Sequence, residues 1–115
     1  MSPALADPAQ DLAIGYDAYQ RMDLAEALAQ FQKAAEDGNV TAQDSLGVMY
    51  ANGEGVPRNY ALALMWFEIA SENVPETDIS WRARLAEFKS QVALHLTPDE
   101  VFEARRRAQE WKSKR

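Results

Sequence analysis

The sequence predicts an all-α fold, a right-handed superhelical solenoid of about three antiparallel helix hairpins and six helices. Three observations lead there. Apolar residues recur at three- and four-residue spacing in successive segments. Glycine, proline and capping residues punctuate those segments at short intervals. Part of the pattern then repeats along the chain. Ala is abundant and β-branched residues are few, which favours helix over strand. A chain of 115 residues with 47% hydrophobic content holds one core and one domain. No apolar run approaches the roughly 20 residues of a membrane span.

Residues 1–8 read as a lead-in, with Pro3 and Pro8 opposing early helix. The first helix runs from about Ala9 to Gln20. Arg21-Met22 is a short turn. Asp23 is an N-cap, and Glu26 three residues on completes a capping box. The second helix runs to about Asp37, with Leu24, Ala27, Leu28, Phe31, Ala34 and Ala35 on one apolar stripe. Gly38 ends it, since a left-handed conformation costs glycine little. Thr41 caps a third helix, about Ala42 to Ala51, and Asn59 caps a fourth, about Tyr60 to Glu72.

Asn73-Val74-Pro75 breaks the chain. A fifth helix spans Glu76 or Thr77 to Leu94, with Trp81, Leu85, Phe88, Val92 and Leu96 as its stripe. Thr97-Pro98-Asp99-Glu100 sets the sharpest boundary: a Thr N-cap, Pro at the first helical position, and Glu at the third. The sixth helix runs to about Lys112, with Val101, Ala104, Ala108 and Trp111 on one face. Trp81 and Trp111 are placed to lid the last hydrophobic face, which a terminal unit must cover.

The repeat appears when Ala27, Phe31 and Ala34 are laid on Ala63, Phe67 and Ala70, and Gly15 on Gly47. The second unit is longer by the Gly53–Val56 insertion. Gly15 and Gly47 fall where paired helices lie closest, and Phe31 and Phe67 fill the space between hairpins. Leu46-Gly47-x-x-Tyr50, Gly53-x-Gly55-Val56 and Ala63-x-x-Trp66-Phe67-x-x-Ala70 together resemble the Sel-one-like repeat, a longer-looped relative of the tetratricopeptide repeat. On that resemblance, 9–38 is a tetratricopeptide-like hairpin and 39–73 a Sel-one-like repeat. Residues 76–115 form a degenerate capping hairpin.

The resemblance implies a binding scaffold whose concave surface is lined by first helices. The inward positions then include Tyr16, Tyr19 and Gln20, followed by Asp44, Val48 and Asn52. Arg82 is added from the fifth helix. Tyr beside Asn, Gln and Asp is a mixture suited to peptides, with rigid aromatic area and adaptable hydrogen bonding.

Chemistry finds little support. The Gly53-x-Gly55 turn follows no strand, precedes no Lys or Ser/Thr, and carries Glu54, which would repel a phosphate. Cys is absent, so thiolate metal sites and disulfides are excluded. His95 is the only histidine and has no motif-linked nucleophile or second ligand. Glu36-Asp37 and Asp99-Glu100 sit at helix ends. The expectation is a protein that is not an enzyme, with no cofactor and no metal. It would be an adaptor that binds a protein or peptide as a monomer or weak self-associating species. The alternative is a structural module stacking through its terminal hairpins.

Residues 1–104 carry 6 Lys/Arg against 17 Asp/Glu, and residues 105–115 carry 6 against one. An acidic body opposes nucleic acid as a main partner. Cations in the last turns suit a helix C-terminus. Ala4-Leu5-Ala6 before Asp7 has the small-x-small form of a signal-peptidase site, without the charged and apolar regions that precede one. This tilts the reading toward the periplasm or another exported location, with the cytoplasm as alternative.

Overall fold

The computed structural model describes residues 8–114; residues 1–7 of the lead-in, with the Ala4-Leu5-Ala6 site, lie outside the described residues. Among the described residues the chain is all-α. The helices are α1 (Pro8–Gln20), α2 (Leu24–Glu36), α3 (Val40–Asn52), α4 (Tyr60–Asn73), α5 (Ile79–Ala93) and α6 (Pro98–Ser113). Pro8, expected to oppose helix, instead opens the first one, where its fixed φ and missing N–H suit the first helical position. α1 packs with α2 and α3 with α4, and α2 joins the two pairs by packing on α3.

The caps explain the boundaries. Thr97 Oγ1 accepts from the Glu100 N–H at 3.2 Å and Glu100 Oε1 from the Thr97 N–H at 2.9 Å, the reciprocal box its sequence predicts. The box expected at Asp23 is half made. Asp23 accepts from the Glu26 N–H at 3.3 Å, but its own N–H bonds the Ala18 carbonyl at 2.9 Å and is not free for Glu26. α3 is capped by Asn39 rather than Thr41, with Oδ1 accepting from the Ala42 N–H at 2.9 Å. An Asn ranks above Thr as a cap, so the helix starts two residues early. α5 starts later than expected, because Pro75 to Asp78 forms a turn and Asp78 caps it.

Two apolar clusters form the core, and α4 feeds both. Met65, Trp66 and Ile69 face the first, with Phe31, Leu46 and Met49. Ala63, Leu64, Phe67 and Ala70 face the second, with Leu85 and Val92. The pairing of α3 with α4 depends on Gly47. A Cβ built there would lie 2.4 Å from Phe67 Cε1, so the phenyl ring rests on bare backbone. Gly15 seats Phe31 in the same way, at 2.8 Å. The rings therefore lie on the glycines of their own hairpins. Phe67 also reaches the next unit, with its centroid 5.3 Å from that of Phe88.

The last two helices both pack on α4, more closely than on each other. α5 runs back along α4, which brings His95 to stack on Tyr60 at 4.1 Å near the α4 start. α6 runs in the same direction as α4. Glu68 pairs with Arg105 at 3.4 Å and, one turn on, Glu72 with Lys112 at 2.7 Å. The Lys112 ammonium holds the Glu72 carboxyl below its ordinary value. The basic end of the chain is thus drawn onto acidic α4. The expected tryptophan lid takes a different form. Trp111 packs edge-on against Trp66 at 5.9 Å and closes the first cluster, because α6 follows α4. Trp81 turns inward to α3.

Gly47→Ala is expected to destabilise the fold by about 1–3 kcal/mol, because overpacking outweighs the helix propensity gained. Urea denaturation checks this. Phe67→Leu in the same chain should recover part of the loss, so the two changes are less than additive.

Candidate functional site

The face made by α1, α3 and α5 carries a hollow of 360 Å³. Its floor is apolar, from Phe31, Val48, Met49 and Phe88, and its rim is Tyr16, Tyr19, Asp44, Ser45, Glu54 and Arg84. A second hollow of 350 Å³ shares Tyr16, Asp44, Ser45 and Arg84 with it and continues to Thr41, Asp78, Ser80 and Trp81. The two form one groove along α3.

Each wall has a physical cause. The edge of Tyr16 meets Phe31, with centroids 5.2 Å apart, and Phe31 is itself held on Gly15. Tyr16 remains 42% exposed and its hydroxyl lies 3.4 Å from Ser45 Oγ. Asp44 is buried on α3, and a buried carboxylate needs partners. It has two from α5: Trp81 Nε1–H donates to Oδ2 at 2.9 Å and Arg84 Nη2 at 3.1 Å. This junction fixes α5 beside α3 and sets the groove's width.

The Gly53–Val56 insertion supplies the other end. Gly53 and Gly55 take φ of 68° and 73°, where a side chain is strained. A Cβ on Gly55 would also lie 2.8 Å from the Leu24 carbonyl oxygen, so the turn leans on the start of α2. This geometry projects Glu54 over α1. Tyr19 donates its hydroxyl hydrogen to Glu54 Oε2 at 2.5 Å, and Asn52 Nδ2 donates to Oε1 at 3.3 Å. The hydrogen bond to Glu54, then burial, push the Tyr19 phenol above its ordinary value of 10.0.

Of the residues expected on the inward face, Tyr16, Tyr19, Asp44 and Val48 come together in the groove. Gln20 is exposed at the end of α1, outside the lining. Asn52 is exposed and reaches the groove only through Glu54. Arg82 is exposed and outside the lining, because α5 presents Trp81, Arg84 and Phe88 instead. The three-then-four spacing of those residues carries that register. Glu54 was absent from the expected set although its insertion is plain in the sequence. Asp44 is a structural junction as much as a rim residue, so its substitution confounds packing with binding.

A family model for the Sel1 repeat matches residues 13–39 and 40–73. The chain belongs to the Sel1 repeat family. The two matched Sel1 units take in most of α1 and all of α2 to α4. A search of curated proteins returned no match. Sel1 repeats typically serve as protein–protein interaction modules and are generally non-catalytic. Among the described residues of this Sel1 protein, no three His, Cys, Asp or Glu side chains gather as metal ligands would. No described helix is long and apolar enough to cross a membrane.

The Tyr19 proton is held more tightly in the folded chain than in the unfolded one. Its contribution to stability is therefore full below pH 10 and is lost as pH rises through the higher folded value. Alkaline titration followed by tyrosinate absorbance should contain a late component that Tyr19→Phe removes and Glu54→Ala moves earlier.

Proposed function

We propose that this Sel1 repeat protein is a non-enzymatic scaffold whose α1–α3–α5 groove holds an extended segment of a partner protein. One observation carries the reading: an apolar floor with a polar rim on the face of the first helices, at 360 Å³ within the usual size of a ligand hollow. Tyr16 offers rigid aromatic area there, and Ser45 and Arg84 offer hydrogen bonds to a backbone. A hollow on the opposite side is of similar volume, 390 Å³, but Arg107, Glu110 and Lys114 crowd it and Glu110 is paired with Lys114 at 3.4 Å. The α5–α6 pair serves as the terminal unit closing the array. A second reading, self-association through that end, has in its favour the exposed Leu94 and Phe102, 85% and 69% accessible. The groove is preferred because its exposed groups are arranged around a concavity.

Selection of random displayed nonapeptides on the wild-type protein tests this. Binders should weaken about tenfold or more on Tyr16→Ala/Val48→Gln, as loss of central contacts does. They should be unaffected by Glu36→Gln at the opposite hollow. Binders indifferent to the first variant, or sensitive to the second, would overturn the reading.

A further inference from the structure

The charges along the groove are unequal. Three carboxylates line its two hollows, Asp44, Glu54 and Asp78, against one guanidinium, Arg84. Arg84 is already held by Asp44 at 3.1 Å, so the two largely cancel. The remaining carboxylates stand at opposite ends. Glu54 lies beyond Tyr19 at the apolar hollow, and Asp78 lies at the first turn of α5 in the polar one. The partners of both are neutral: a phenol and an amide for Glu54, and the Trp81 backbone N–H for Asp78. Other cations on α5 do not offset them. Lys89 is 3.8 Å from Glu68 on α4, and Arg82 lies outside the lining.

Resting on the groove reading above, we infer that the partner segment is a basic–apolar peptide. An aliphatic or aromatic side chain seats on Phe31, Val48, Met49 and Phe88, and Lys or Arg residues on either side reach Glu54 and Asp78. The logic is charge complementarity at the rim around an apolar anchor. Asp78 is exposed and Glu54 half-buried, so each can take up a cation at modest desolvation cost, whereas Asp44, already buried and paired, does not take part. An acidic peptide meets like charge at both ends of the same groove.

Three fluorescein-labelled nonapeptides with a central Leu-Phe pair, flanked on both sides by Lys, Gln or Glu, separate the possibilities. Fluorescence anisotropy is read on three proteins: wild type, Glu54→Gln/Asp78→Asn and Tyr16→Ala/Val48→Gln. The middle variant removes charge alone, because Gln still accepts from Tyr19 and Asn still caps α5. On the wild type, the Lys-flanked peptide should bind about fivefold more tightly than the Gln-flanked one, the size expected of two exposed ion pairs. That preference should shrink as salt rises and disappear in the charge variant. The groove variant should weaken all peptides that bind. A Gln- or Glu-flanked peptide that equals or exceeds the Lys-flanked one on the wild type, yet weakens in the groove variant, would overturn the basic class and leave the groove standing. Binding that the groove variant does not change, or no binding by any of the three, would overturn both.

Discussion

The contact on which the structure depends is a phenyl ring on a bare helix. Phe67 lies over Gly47, with no room between them for a single methyl group. That seat sets how closely α4 approaches α3, and α4 is the helix that every later element uses. Its Trp66 side meets the first cluster and its Phe67 side the second. A helix buried on two sides cannot shift to relieve a misfit on one of them, because protein interiors are close-packed. Phe31 on Gly15 repeats the arrangement one unit earlier. The repeat is therefore a repeated distance between backbones, and the shared residues are those that keep it short.

The groove follows from that spacing with two additions. The Asp44 junction to Trp81 and Arg84 holds α5 against α3. The glycine-bearing insertion carries Glu54 to Tyr19 on α1. Both tie one unit to its neighbour through a carboxylate, and both do so on the face of the first helices. The opposite face is finished differently. Arg105 and Lys112 on α6 pair with Glu68 and Glu72 on α4. Both faces keep a hollow, but the one on the α6 side is crowded by charged groups of the returning helix, whereas the one on the first helices has an apolar floor.

The fold was largely readable from the sequence because helix periodicity, caps and the Gly–Phe repeat are local or regularly spaced signals. Asn59, Asp23, Gly38 and Thr97 act where their chemistry predicts. The failures have physical causes. Asn39 displaced Thr41 as a cap because two acceptable residues stood close together. The path of α6 was not readable, since Ala104, Ala108 and Trp111 form a face that fits α5 or α4 equally well. The same limit applied to the groove. Tyr16, Tyr19 and Val48 followed from the register of α1 and α3, which their glycines anchor. The sequence offers Arg82 where the structure presents Arg84, because nothing comparable anchors α5. Its register is set by the long-range bonds to Asp44, and no sequence period reports those.

Amide chemical-shift mapping with the Lys-flanked Leu-Phe peptide tests the central claim, that the working surface is the face of the first helices. The account predicts perturbations concentrated at Tyr16, Tyr19, Ser45, Val48, Arg84 and Phe88. Perturbations centred instead on Glu36, Trp66 and Trp111 would contradict it.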